Sequence, residues 1–499
     1  MARLRVPAQA LRNFLSILLG FALGGINNLL VLPWAFEDDL GSWGLVRIAA
    51  AWAMIFGPLL AFGAPSAFNR FKGTFTTEGK LPELYTTLLA PPLVLFLGLV
   101  ALPALVIPES VADVLGLEGE NRKAVWPIAL LSGITGLQIY FSGFLSSRLK
   151  TSLATFARET FVKFGYLALA VALGLGWLGQ AAFLPAFVGL YLVVLTLLIA
   201  QSLANRFTIT PKRIQNRTLT REIRKYSGTL IIGSSALMIL GQIDIIMIGR
   251  CMGLEHVPAY TIAAFIAAVA QVPYRSFHRL LQPLIASALH AKDERETWRL
   301  MGMTHRSMLL ISGWILACIW VCIPELDQLL PAAFKGLGTV IAVVGLIKVL
   351  QSASMGSSML LGQSDHYQKT VWINWMMVIL AIPLNLWFIP DSGLGLGLVG
   401  AALATLIAVG LAVTLRQIIV WKVWRVFVPD LGTLRILLVI VAPAILINLW
   451  HPAGIAMGFI LLKSSLVTAW LTFATMRLNL APEVVNIATE RLNKMRGIK

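Results

Sequence analysis

Charge and thiol groups are scarce in this chain. Asp, Glu, Lys and Arg make up 13% of its 499 residues, and only 23 residues are acidic. A soluble domain carries about 25% charge, so a water-bathed globular surface is excluded. Three cysteines are too few for a disulfide framework, and neither they nor the six histidines fall at metal-ligand spacing. Cys318 and Cys322 stand one helical turn apart and Cys251 stands alone, as small apolar fillers do. There is no Walker-type phosphate loop and no dinucleotide fingerprint. The longest loops are about twenty residues and basic, without the polar, acid-bearing stretch that a membrane-bound enzyme needs. The expectation is a protein that is not an enzyme and that holds no metal and no cofactor.

What is present is apolar. Hydrophobic residues make up 58% of the chain, and the mean hydropathy is +0.81. A bilayer core about 30 Å thick needs about 20 apolar residues per helix, and about fourteen segments reach that length. They lie near 11–32, 44–66, 84–107, 124–146, 156–176, 183–204, 227–249, 258–281, 301–323, 337–361, 370–390, 396–420, 435–450 and 454–476. The pattern predicts an all-α polytopic membrane protein. Arg3, Arg5 and Arg12 ahead of Phe14 to Leu32 are built like a secretory signal, but no small-residue cleavage site follows, so this segment is expected to stay as the first helix. Trp34, Trp43, Trp126, Trp177, Trp421 and Trp424 fall near expected helix ends, where interfacial anchoring accounts for them.

The net charge of +17 would suggest nucleic acid in a soluble protein, but in a membrane chain its placement along the loops decides. With the N-terminus in the cytoplasm, roughly thirty-three of the Lys and Arg residues fall on cytoplasmic loops or helix ends. No nucleic-acid partner is therefore expected. The densest group is Arg206, Lys212, Arg213, Arg217, Arg221, Arg224 and Lys225, whereas the loop from Pro108 to Gly119 carries Glu109, Asp113 and Glu118 and no Lys or Arg. An even number of spans returns the C-terminus to the cytoplasm.

Two stretches repeat at an offset of roughly 215 residues, the mark of a duplicated unit. Leu19-Gly20 through Gly44-Leu45-Val46-Arg47-Ile48 is echoed by Ile232-Gly233 through Ala259-Tyr260-Thr261-Ile262, and Gly143-Phe144-Leu145-Ser146-Ser147 by Ser358-Met359-Leu360-Leu361-Gly362. The organisation expected is an N-lobe of six helices over 1–205, a basic cytoplasmic linker over 206–226 and a C-lobe of six helices over 227–420. Two extra helices over 421–476 and an amphipathic cytoplasmic tail over 477–499 complete it. A pseudo-symmetric pair of lobes with a cavity between them is the arrangement of transporters that work by rocking. Pro58, Pro65, Pro273, Pro283 and Pro383 interrupt helix hydrogen bonding and can serve as hinges, although neighbouring helices can equally satisfy the freed carbonyls.

Ionisable groups inside the membrane cost about 2.5–3.5 kcal/mol each on insertion scales, so the few that persist face a partner or a water-filled path. Gln271, Arg275 and Arg279 follow each other at four-residue spacing along the eighth helix, near His278 and Gln282. Lys348 and Gln351 lie on the tenth, Arg47 and Arg70 near the two ends of the second, and Lys463 on the last. For Arg275 and Arg279 two readings stay open. They snorkel to the headgroups, or they line a cavity where guanidinium forks hold a diphosphate. Asn27, Asn28, Gln242, Gln271 and Gln351 are the expected polar lining. Asp244 is the one acid well inside an apolar run; it is the candidate coupling or gating group, with an ion pair to Arg47 across the lobes as one form of the gate.

The segments Leu15-Ser16-Ile17-Leu18-Leu19-Gly20, Gly41 to Arg47 and Gly63-Ala64-Pro65-Ser66-Ala67-Phe68-Asn69-Arg70-Phe71 resemble the start of bacterial polysaccharide exporters of the Wzx type. Asp244-Ile245-Ile246-Met247-Ile248-Gly249-Arg250 followed by Ala259-Tyr260-Thr261-Ile262 resembles their seventh and eighth helices. These exporters belong to the multidrug/oligosaccharidyl-lipid/polysaccharide (MOP) superfamily. The resemblance spans roughly residues 10–420, and it implies two six-helix lobes in a V. It also implies flipping of an undecaprenyl-diphosphate-linked oligosaccharide from the cytoplasmic to the periplasmic leaflet of a bacterial inner membrane. Arg47, Arg70, Arg275, Arg279 and Lys348 would then hold the diphosphate. Expected partners are the lipid-linked oligosaccharide, membrane lipids, a polysaccharide polymerase and glycosyltransferases, with the protein itself a monomer and any coupling ion, proton or sodium, left open. A lipid II flippase is the nearest alternative, although such proteins contribute basic residues from the first helix, which here has nothing charged after Arg12. A drug or metabolite antiporter and a nontransporting scaffold are the others.

Overall fold

The computed structural model describes residues 2–77, 79–210, 214, 216–428, 430–450, 456–478 and 480, with the backbone alone at 2–11, 14, 275, 276, 279, 280 and 456. Lys212 and Arg213 of the linker and nearly all of the expected tail over 477–499 lie outside these residues. Every regular element among the described residues is a helix. In chain order the long ones are α1 (Leu15–Ala35), α2 (Leu40–Thr77), α3 (Leu81–Val106), α4 (Gly119–Ser147), α5 (151–174), α6 (Gln180–Ala204) and α7 (Arg217–Leu240 with Ile243–Cys251). They continue with α8 (254–290), α9 (Glu294–Val321), α10 (Gly338–Ala353 with Met355–Gln363), α11 (Tyr367–Phe388), α12 (Gly397–Trp424), α13 (Leu431–Asn448) and α14 (Ala456–Leu478).

Each predicted apolar segment therefore falls on a helix. By length and composition, 11 can cross a membrane, or up to 13 if each of two bent pairs, α7 and α10, counts as one span. The remaining one is α5, whose apolar run is broken by Arg158, Glu159 and Lys163. Both bent helices turn by 47°. The break in α7 comes at Gly241 and Gln242, and that in α10 at Ser354, whose hydroxyl donates to the Gln351 carbonyl.

The chain divides into two compact units, Met1–Pro258 and Ala259–Lys499. In the first unit, α2 packs against α4, and α1 against α5. A Cβ at Gly20 would stand 2.2 Å from the Glu159 carbonyl oxygen, so only glycine permits the α1–α5 approach. An aromatic core of Phe68, Tyr85, Tyr140, Phe144 and Phe207 fills one end, where Tyr140 Oη donates to the Tyr85 carbonyl at 2.7 Å. The bent α7, which the sequence repeat groups with the second lobe, packs on α2 inside this first unit.

In the second unit α9 is the hub, touching α10, α13 and α14. Lys463 on α14 is fully buried, pairs with Glu325 at 2.6 Å and also donates to the Val321 carbonyl. It is a packing ion pair within one unit.

One expectation is corrected. Trp43 is buried, stacked beside Phe36 at a centroid distance of 6.1 Å, and is no interfacial anchor. Its indole adds more apolar contact in the core than at a helix end. Trp34, Trp126, Trp177 and Trp421 are exposed, as anchors are.

Candidate functional site

The polar residues of the first unit gather where helices are irregular. Asn27 and Asn28 begin a wide, π-type turn in α1, and Arg158 and Glu159 lie in a second such turn in α5. Such turns leave backbone groups in need of partners and are frequent at functional positions. Asn27 is buried, and its amide donates to the Lys163 carbonyl at 2.8 Å, joining α1 to α5; Asn28 donates to Gly24 on its own helix at 2.7 Å. Glu159 and Lys163 form an ion pair at 3.6 Å. Arg47, half-buried on α2, lies within electrostatic reach of Tyr166 on α5 and Tyr191 on α6, and Arg158 shares Tyr191. A cationic cluster faced by two phenols thus forms inside the unit.

Arg70 sits elsewhere, exposed at the other end of α2. Its guanidinium lies 3.5 Å from Glu222 and 4.4 Å from the centre of the Tyr226 ring, both on α7. Asp244 is buried in the first turn of Ile243–Cys251, directly after Gln242 at the bend. Unpaired amides at a helix start favour a carboxylate, which accounts for an acid at this depth. Arg47 and Asp244 both belong to the first compact unit.

The second unit brings Gln271 and Gln351 together, amide to amide at 3.0 Å, which ties α8 to the bend of α10. Lys348 lies one turn earlier on the same helix and is half-buried. Arg275 and Arg279 lie on the helix Val272–His290, four residues apart and therefore on one face. Their side chains are outside the described ones. Gln271 ends a tighter turn, Val269–Gln271, and is the N-cap of the helix that carries the pair.

Sequence reading passed over Arg416. It is 8% exposed on α12, and its Nη2 donates to Asn374 Oδ1 on α11 at 2.6 Å. Tyr274 on α8 is its resolved electrostatic neighbour, and Tyr274 in turn packs on His278 with ring centroids 5.5 Å apart. A signal existed. Thr405, Ala408, Ala412 and Arg416 share one buried face of α12, and an arginine ending a small-residue stripe lies where helices approach closely. In the first unit Arg47 and Arg158 thus lie beside a distorted helix, as expected for binding an anionic group at membrane depth.

A family model described as polysaccharide biosynthesis protein matches residues 11–288. The chain belongs to this family. Among solved structures, this polysaccharide biosynthesis family member is similar to a lipid II flippase MurJ in an inward closed conformation, at 15% identity and a TM-score of 0.72, covering 95% of this chain and 99% of that one. It is also similar to a multidrug resistance MATE family transporter of the MOP superfamily in an inward-facing conformation, at 16% identity and a TM-score of 0.58, covering 84% and 94%. A MOP superfamily transporter from Pyrococcus furiosus gives 16% identity, a TM-score of 0.55 and coverage of 84% and 96%. These likenesses establish the MOP transporter fold. No curated protein matches the chain.

Proposed function

We propose that this protein is a flippase that moves an undecaprenyl-diphosphate-linked oligosaccharide from the cytoplasmic to the periplasmic leaflet of a bacterial inner membrane, by alternating access, for surface polysaccharide biosynthesis. The observation that carries this reading is the family match over residues 11–288 in a chain with the MOP fold. Cations on the membrane-spanning helices would supply the chemistry. Arg47, Arg70, Arg275, Arg279 and Lys348 suit a diphosphate, because guanidinium and ammonium groups bond phosphate oxygens most strongly where water is excluded. Asp244, at a bend, is the group for coupling or gating. Both termini face the cytoplasm, and a polymerase and glycosyltransferases act on either side of the step.

The test replaces Arg275, Arg279 and Lys348 together by Gln. Loss of surface polysaccharide with accumulation of the lipid-linked intermediate is expected, and normal export in that variant would defeat the assignment. Depletion of the protein distinguishes the substrates: lysis with stalled cell-wall synthesis would mean lipid II.

A further inference from the structure

The second unit contains a cavity of about 310 Å³, at the lower end of the range for small-molecule sites, about 300–1,000 Å³. Leu309 of α9, Val413 and Ile418 of α12, Phe427, and Thr433 and Leu437 of α13 are among its lining residues. The wall is almost wholly apolar. Ile418, Phe427 and Leu437 are 39%, 63% and 41% exposed, so the cavity opens on the outside of the unit between α12 and α13.

Its depth matches one lipid chain. Trp421 stands exposed near the end of α12, at the level where such rings meet the headgroups. From Trp421 back to Val413 is about 12 Å along the helix at 1.5 Å per residue. Half of a hydrocarbon core about 30 Å thick is slightly longer. The groove therefore runs from the interface toward the middle of the bilayer and stays within one leaflet.

The mouth is cationic. Arg306 lies 3.2 Å from Asp430, and Asp430 caps α13 by accepting from the backbone N–H of Thr433, a lining residue. Lys422 lies one turn beyond the lining residue Ile418 on α12, and so on the same face. Two cations stand against one carboxylate.

We propose that this groove is a resident-lipid site for an anionic glycerophospholipid, with one acyl chain in the cavity and the phosphate at Arg306. The apolar wall selects a chain, and the excess positive charge selects an anionic headgroup over a zwitterionic one. A site confined to one leaflet and to one unit suits a lipid that stays in place. A transported lipid must cross both leaflets.

The test uses the full-length purified protein in detergent, with bound phosphatidylglycerol, phosphatidylcholine and undecaprenyl phosphate counted by native mass spectrometry. One saturable phosphatidylglycerol is expected, held about tenfold more tightly than phosphatidylcholine. Thr414→Trp, which fills the groove, and Arg306→Gln each weaken it about tenfold, while Arg306→Lys retains it. If Thr414→Trp does not fold, Leu437→Trp at the exposed rim carries the same test. Equal binding of phosphatidylcholine, displacement by undecaprenyl phosphate, or unchanged binding in the variants would each overturn the proposal. Export of polysaccharide, scored separately, reports on the flippase reading alone.

Discussion

Lys463 Nζ lies 2.6 Å from Glu325 Oε1, with the ammonium fully buried and the carboxylate nearly so. The pair fastens α14 to the segment Ile323–Leu329 that follows α9. Two desolvated charges hold each other at little net gain, but removing either leaves the other buried and uncompensated.

Lys463→Met or Glu325→Leu alone is therefore expected to destabilise the protein by about 3–5 kcal/mol. The double replacement, which removes both charges, should recover most of that loss. Thermal unfolding of the purified variants followed by size-exclusion fluorescence measures the cycle. Equal melting of the single and double variants would show that the pair does not hold α14.

The close approach of α2 to the start of α8 gives a second expectation. A Cβ at Gly44 would stand 1.9 Å from the Leu254 carbonyl oxygen, a backbone atom that cannot swing aside. Gly44→Ala should lower stability by about 1–3 kcal/mol, as overpacking does, and Gly44→Leu should prevent accumulation of folded protein. A neighbouring change on the same helix, Ser42→Ala, is expected to cost less, because Asp39 still caps α2 through the Ser42 backbone N–H. Expression and melting of these three variants decide it.

The order of helices was legible from the sequence because twenty-residue apolar runs report themselves one by one. Even α5, with Arg158, Glu159 and Lys163 at one end, was found from its remaining run. Partners were not legible. Arg70 meets Glu222 across 152 residues of chain, and no spacing rule reaches so far. Trp43 and an exposed anchor such as Trp421 look alike in sequence, since burial depends on what the next helix presents. The bends at Gly241 and Ser354 were hidden because glycine and serine are ordinary in membrane helices. Asp244, Lys348 and Gln351 were singled out by depth alone, whereas Arg416 was overlooked beside the end of α12.

Asp430 yields a pH dependence. It lies just outside α13, where burial pushes its carboxyl up but is outweighed by hydrogen bonds from the Thr433 N–H and hydroxyl and by Arg306. The net result is below the ordinary value of 3.8. A depressed carboxyl contributes stability that is present in full above its ordinary value and is lost as pH falls through its folded value. The melting temperature of the wild type should thus exceed that of Asp430→Asn at neutral pH, with the gap closing below about pH 4. Asp430→Ala, which also loses the helix cap, should stay lower by about 1 kcal/mol. A gap that widens on acidification would reverse the sign and exclude this account.

Arg416 separates a structural charge from a working one. It is buried, and among the described residues the partner it donates to is the neutral Asn374, at 2.6 Å. Burial of a cation without a carboxylate is costly, so a charge kept only for packing would be better replaced by an apolar side chain of similar length. Arg416→Met should accordingly melt at or above the wild type, while Asn374→Leu, which strips the guanidinium of its acceptor, should lose about 1–3 kcal/mol. Export is expected to move the other way: surface polysaccharide should fall at least about tenfold in Arg416→Met, the loss that follows from removing about 1.4 kcal/mol of interaction with an anionic group. Stability and export that rise or fall together in these variants would place Arg416 in the scaffold. Opposite movement identifies a charge held inside the membrane against the preference of the fold, and therefore for what passes through it.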